Sequence, residues 1–214
     1  MTGEYVARLT RLAVPPHPQS KVIIDSKVIL RLLFIVLMST LIGYLLPAGS
    51  IINFTLFQLI FGTALTGAGA HVLNQWQERS QDARMMRTKQ RPLPSGRLEP
   101  EEALIFGIIL SFISVFSLNY FTNTLSSFLL FFTIFFYLFV YTIWLKRKTP
   151  QNIVIGGAAG ALPPVIGWTI ATNSLTLEPL TFFLIIFIWT PSHFWALSLY
   201  KANDYKRAGI PMLP

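Results

Sequence analysis

Cysteine is absent from the 214-residue chain. That absence excludes a disulfide framework, a thiol nucleophile and any cysteine-ligated metal site. Charge is scarce too. Asp, Glu, Lys and Arg make up 12% of the residues, about half the share usual in a soluble domain. The connections at 47–50, 120–123 and 172–179 contain no Lys or Arg. A small-residue cleavage site is missing after the first apolar run, Val28 to Leu46, and the run is too long for a signal-peptide core. It is therefore expected to stay in the mature protein as a span.

What the chain has in quantity is apolar sequence: 53% of residues are hydrophobic. Runs of roughly 20 apolar residues match the hydrocarbon core of a bilayer. They fall at 28–46, 51–73, 103–119, 124–145, 153–171 and 180–199. The fold class expected is all-α, a polytopic transmembrane bundle of about six helices. Short apolar linkers make neighbouring helices antiparallel and imply one bundle without a second domain.

A net charge of +8 would suit nucleic acid, but the positions of the charges argue against it. Basic residues are confined to the N-terminal region (Arg8, Arg11, Lys21, Lys27, Arg31), to 74–100 (Arg79, Arg84, Arg87, Lys89, Arg91, Arg97), to 146–148 and to 201–207. Six helices put all four segments on one side, which the positive-inside rule makes cytoplasmic. A miscount by one helix would scatter them. Residues 1–26, with Pro15, Pro16 and Pro18, read as a cytoplasmic N-terminal tail, and 27–214 as the transmembrane domain.

The fifth span, IVIGGAAGALPPVIGWTIA, carries Gly156 and Gly160 four residues apart, a spacing that lets helix backbones approach. Pro163 and Pro164 interrupt it, as a structural kink or as a broken helix lining a cavity.

The segment 74–100 spends more residues than a connection needs. Asn74, Glu78 and Asp82 stand at i, i+4 and i+8, one face of a helix continuing the second span. Oxygen-bearing side chains in a row suit a hard cation such as Mg²⁺, held with the phosphates of a substrate. Arg84, Arg87, Lys89 and Arg91 follow, so metal and cations together suit a diphosphate. The alternative is that the basic residues only set topology and the acids pair with them. The sixth span delivers Asn203 and Asp204 to the same side. A lipid-like diphosphate would fit two facing clusters at a membrane mouth, with its apolar tail in the bilayer.

These residues resemble a known family. The row Asn74, Glu78, Asp82 running into MMRTKQRPLPSGRL resembles the first signature of the UbiA-type intramembrane prenyltransferases. Three later stretches are similar to the protohaem IX farnesyltransferase (haem O synthase) branch of that family: YTIWLKRKTPQNIVIGGAAGALPPVIGW (141–168), TPSHFWALSLYKANDY (190–205) and AGIPMLP (208–214). The similarity covers roughly 27 to 214. Glu78 stands where the family more often has Asp, and Lys27-Val28 where Lys-Pro is usual. The family's chain continues past the PMLP stretch to about nine helices, so this chain is expected to lack C-terminal helices.

The resemblance implies transfer of a farnesyl group from farnesyl diphosphate to a vinyl group of haem B, giving haem O, with Mg²⁺ as cofactor. Partners implied are farnesyl diphosphate, haem B, the lipid bilayer and a downstream haem-modifying enzyme or terminal oxidase assembly; nucleic acid is not among them. Metal and diphosphate binding fall to Asn74, Glu78, Asp82 and Asp204. Arg84, Arg87, Lys89, Arg91, Lys146 and Lys201 are candidates for diphosphate or haem-propionate contact. Tyr141 faces the allylic cation or is an ordinary interfacial aromatic. His193 contacts haem iron or is a hydrogen-bonded packing residue, and His71 lines the cavity. Phe131, Phe132, Phe135, Phe136, Tyr137 and Phe139 are expected to face lipid or core. Rival functions are prenyl transfer to a quinone precursor or other lipid acceptor, a small transporter with Pro163–Pro164 as its broken helix, and a non-catalytic scaffold.

Overall fold

A computed structural model describes residues 26–48, 54–86, 88–146, 148–200 and 211. Among them every regular element is helical. In chain order these are α1 (Ser26–Ala48), α2 (Phe54–Asp82), α3 (Pro100–Phe121), α4 (Thr124–Phe135), a π-helical stretch (Phe136–Leu145), α5 (Asn152–Ala161), α6 (Pro163–Thr172) and α7 (Leu177–Tyr200). α4 with the π stretch makes one rod, and α5 with α6 another. The expected tail at 1–26 and the acidic group at 203–204 lie outside the described residues, apart from Ser26 at the head of α1.

Among the described residues, five rods are long and apolar enough to cross a membrane: Phe54–Asp82, Pro100–Phe121, Thr124–Leu145, Asn152–Thr172 and Leu177–Ala196. α1 adds the apolar stretch Leu33–Ala48. The outer surface is studded with exposed large side chains such as Phe112, Phe116, Ile185 and Ile188. Water would penalise such a surface and lipid does not. The protein is a multi-pass membrane protein.

Because lipid tails are as apolar as the helices, association depends on close packing and on interhelical hydrogen bonds. α2 meets α3 through small residues. A Cβ on Gly62 would lie 2.3 Å from Leu118, and one on Gly107 would lie 2.7 Å from Leu73. Into that narrow gap Ser114 donates to the Gly62 carbonyl at 2.8 Å, and its hydroxyl also meets that of Thr66. α1 packs on α6 more closely still. A Cβ on Gly43 would sit 2.0 Å from the Pro164 carbonyl oxygen, and one on Gly167 equally close to that of Thr40.

The proline pair does interrupt the fifth span. α5 ends at Ala161 and α6 restarts at Pro163, where a missing N–H costs nothing in a first turn. Pro163 and Pro164 are buried, and the carbonyl of Pro164 lies against α1, so the break serves packing. The expected close approach at Gly160 does not occur, since a side chain there would meet nothing within 4 Å. Gly156 instead makes room for the Tyr141 ring, 2.2 Å from where its Cβ would be. Gly157 admits Thr190 of α7. Asn123 caps α4 by accepting from the Ser126 N–H at 2.8 Å, and its own amide donates to the Thr169 carbonyl of α6.

Adding a methyl group at Gly43 or Gly167 has no room to relax, because backbone rather than a flexible side chain blocks it. Gly43→Ala and Gly167→Ala should each cost about 1–3 kcal/mol or more, read as a lower midpoint of thermal unfolding in detergent. Gly160→Ala should leave that midpoint unchanged or raise it.

Candidate active site

α2 has 29 residues. At 1.5 Å per residue it is about 43 Å long, against a hydrocarbon core of about 30 Å. Its last turns therefore outrun the apolar slab, and they carry Asn74, Glu78 and Asp82. The α2 end, the start of α3, the end of the π stretch and the start of α5 gather at one mouth of the bundle. All the described Lys and Arg side chains from 79 to 148 belong to these ends or to the loops between them.

Each member of the row is met by a residue from another part of the chain. The Tyr137 hydroxyl donates to Asn74 Oδ1 at 2.9 Å. Lys146 Nζ forms an ion pair with Glu78 Oε1. Arg91 pairs with Asp82 Oδ2 at 2.8 Å, while the Thr88 hydroxyl donates to the Asp82 carbonyl. Asp82 is only 3% exposed and Asn74 7%. These are thus groups held inside protein, where an unmatched charge is costly and a matched one is fixed in place. The acids do pair with basic residues, as the alternative reading expects, but the pairs are largely enclosed by protein and not on a solvated surface.

The π stretch and Lys146, the residue that follows it, supply two of the contacts. The wider turns of the stretch bond i to i+5 through the backbone, as in Lys146 N–H to the Tyr141 carbonyl at 2.9 Å, and the Thr142 hydroxyl also donates to the Tyr137 carbonyl at 2.9 Å. Tyr137 and Tyr141 stack with ring centroids 5.7 Å apart, and Lys146 Nζ lies 5.7 Å from the Tyr141 ring centre. One aromatic face thus already accepts a cation.

The described residues 83–86 and 88–99 fold back on this end. Met85 and Leu93 are buried, Leu93 against Val72 and Ala103, and Arg91 is carried to Asp82. Arg84 and Lys89 are exposed at the rim. Arg87, Lys201 and Asp204 lie outside the described residues. His71 is half-buried one turn before Asn74. His193 stacks on Trp189 with centroids 4.2 Å apart and meets Phe194 edge-on.

Tyr137 packs against the core, as expected, and its hydroxyl also holds Asn74. Its phenol in a run of phenylalanines could have signalled a polar partner, but not which one. Phe131, Phe132, Phe135 and Phe139 are exposed on the outside, as expected. Thr88 was missed, and nothing in its local sequence marks it.

Among the described residues no three His, Asp or Glu side chains cluster to form a cation site. The donor set here is two carboxylates and a carboxamide oxygen. All are oxygen donors, set among cations, and they fit a hard ion that completes its shell with water and phosphate.

The UbiA prenyltransferase family profile matches residues 36–214. The chain belongs to that family. Among curated relatives, it is 60% identical over 184 residues to protoheme IX farnesyltransferase of Pelagibacter ubique (strain HTCC1062), covering 86% of this chain and 61% of the relative. Its identity to protoheme IX farnesyltransferase 2 of Mesorhizobium japonicum is 55% over 185 residues, covering 86% and 59%. The chain spans about three fifths of the length of these relatives. Among solved structures, a UbiA homolog from Archaeoglobus fulgidus bound to DMAPP and Mg²⁺ is similar with a TM-score of 0.67 at 16% identity, covering 85% of this chain and 66% of that one. A digeranylgeranylglyceryl phosphate synthase structure gives 0.69 at 21% identity, covering 88% and 67%. At such identities the likeness is one of fold.

Removing the phenol oxygen should isolate its contribution. Tyr137→Phe is expected to lose about 0.5–1.5 kcal/mol of stability in urea or thermal unfolding. In a double-mutant cycle with Asn74→Ala most of that loss should disappear. Full additivity would mean that the hydrogen bond contributes nothing.

Proposed function

We propose that the chain transfers a farnesyl group from farnesyl diphosphate to a vinyl group of haem B, giving haem O. The observation that carries this reading is the row Asn74–Glu78–Asp82, buried at Asn74 and Asp82 and clasped by Tyr137, Lys146 and Arg91, in a chain 60% identical to a protoheme IX farnesyltransferase. With the basic loops on one side, the positive-inside rule orients that mouth toward the cytoplasm, where a water-soluble diphosphate head and a membrane-soluble tail are both accommodated.

The reaction breaks the C1–O bond of the farnesyl diphosphate. Its electron pair leaves with the diphosphate, and an allylic cation remains. When held by Asn74, Glu78, Asp82 and Asp204, Mg²⁺ supplies neutralisation of the leaving oxygens. Arg91 and Lys146 add fixed positive charge beside them, aimed at charge that develops as the bond breaks. Tyr141 presents its ring face, which favours a cation. The apolar bundle below the mouth keeps bulk water from that cation until the vinyl carbon attacks. Water then adds to the haem-side cation and gives up a proton, leaving the hydroxyl. Arg84 and Lys89 on the rim suit contact with the diphosphate or the haem propionates, and Arg87 and Lys201 are candidates for the same role by their charge. No covalent intermediate with the protein is required.

Membranes containing the chain, incubated with haem B, farnesyl diphosphate and Mg²⁺, should yield a product with the mass of haem O. Asp82→Ala should reduce its rate by at least about a hundredfold, the scale of losing an electrostatic stabiliser. The reading is overturned if neither this chain nor one extended to its relatives' length forms the product, or if Asp82→Ala is as active as the parent. Prenylation of a quinone precursor instead would keep the site and change the acceptor.

A further inference from the structure

The two carboxylates of the row are each matched by one cation. Glu78 has Lys146, which follows the π stretch, and Asp82 has Arg91 from the folded loop. The four side chains are between 4% and 15% exposed. With Asn74 neutral, the cluster balances two negative charges with two positive ones.

That balance has a consequence for how ligands enter. A divalent cation arriving alone meets carboxylates already compensated. To bind them it must take Glu78 and Asp82 away from Lys146 and Arg91, leaving two cations in a poorly hydrated site without their carboxylates. A diphosphate arriving alone must compete with Glu78 and Asp82 for the same two cations. If both arrive together, each old pair is exchanged for two new ones and no buried charge is stranded. Lys146 is built for such an exchange, having a flexible stem and three donors.

We propose that the Lys146–Glu78 and Arg91–Asp82 pairs are place-holders that make metal and diphosphate bind together. On entry the metal takes the carboxylates, and Lys146 and Arg91 transfer to the diphosphate oxygens. This rests on the diphosphate reading given above and adds to it an order of events: neither ligand binds tightly first. It also assigns the two cations a role before any bond is broken, that of keeping Glu78 and Asp82 matched until the ligands arrive.

The test uses Mn²⁺ as a spectroscopic probe, with free ion counted by electron paramagnetic resonance. It is run with and without farnesyl thiolodiphosphate, an inert analogue. The intact protein should bind Mn²⁺ weakly alone and far more tightly with the analogue. Lys146→Met keeps the hydrocarbon stem against Tyr141 but removes the charge. It should bind Mn²⁺ alone about tenfold more tightly than the parent, the scale of one charge-assisted hydrogen bond, with the synergy reduced by the same factor. Arg91→Met, made at the other pair, should shift in the same direction, so the test does not depend on one variant folding. Lys146→Arg should resemble the parent. Lys148→Met removes the same charge from an exposed neighbour and should change little. If Mn²⁺ binds the parent synergistically but Lys146→Met and Arg91→Met bind it alone no better, the exchange is overturned and the diphosphate reading stands. If the parent binds no Mn²⁺ under either condition, both fall.

Discussion

A helix of 29 residues in a slab that accommodates about 20 must place its surplus somewhere, and that surplus organises the mouth of this protein. Had α2 stopped at the membrane boundary, near Leu73, its polar residues would have belonged to a connecting loop. Because it continues, Asn74, Glu78 and Asp82 keep helical register, stacked one turn apart on a rigid rod. A rigid row can be answered by partners at fixed heights. Tyr137, Lys146 and Arg91 answer it from the π stretch and from the loop that folds back. Electrostatics in a half-dry site does the rest, since buried charges are tolerated only when matched.

The rest of the bundle serves that arrangement. Small residues bring α2 and α3 together and let Ser114 bond across the gap. Gly43 and Gly167 allow α1 to lie directly on the backbone of α6. The break before Pro163 lets the lower half of the rod follow α1 while the upper half, α5, keeps Gly156 under Tyr141 and Gly157 against Thr190. The π stretch is the other departure from regular helix. It costs hydrogen-bond geometry, and in return it stacks Tyr137 and Tyr141 and brings Lys146 back over the second ring.

Much of this was legible in the sequence. Apolar run lengths announced the spans, and the four-residue spacing of Asn74, Glu78 and Asp82 announced a helical row, because both follow from the backbone repeat. The proline pair announced a break, since proline cannot donate in mid-helix. What stayed hidden depends on other elements. Tyr137 reads like its phenylalanine neighbours until Asn74 is known to lie opposite. Gly156 and Gly160 look alike in sequence, yet one faces a tyrosine ring and the other open space. The close backbone approach instead falls at Gly43 and Gly167, whose partners are more than a hundred residues away. The π turn has no marker in FYLFVYTIWL, a run any apolar helix could carry.

The account stands on the register of the α2 row against its partners, and a chain without cysteine allows that register to be measured on a clean background. Cysteine pairs would be introduced and treated with a short bifunctional thiol reagent in native membranes. Glu78→Cys with Lys146→Cys should cross-link efficiently, whereas Arg79→Cys with Lys146→Cys, rotated about 100° around α2, should not. Efficient linking of the second pair and none of the first would mean that the row faces elsewhere, contradicting the site described.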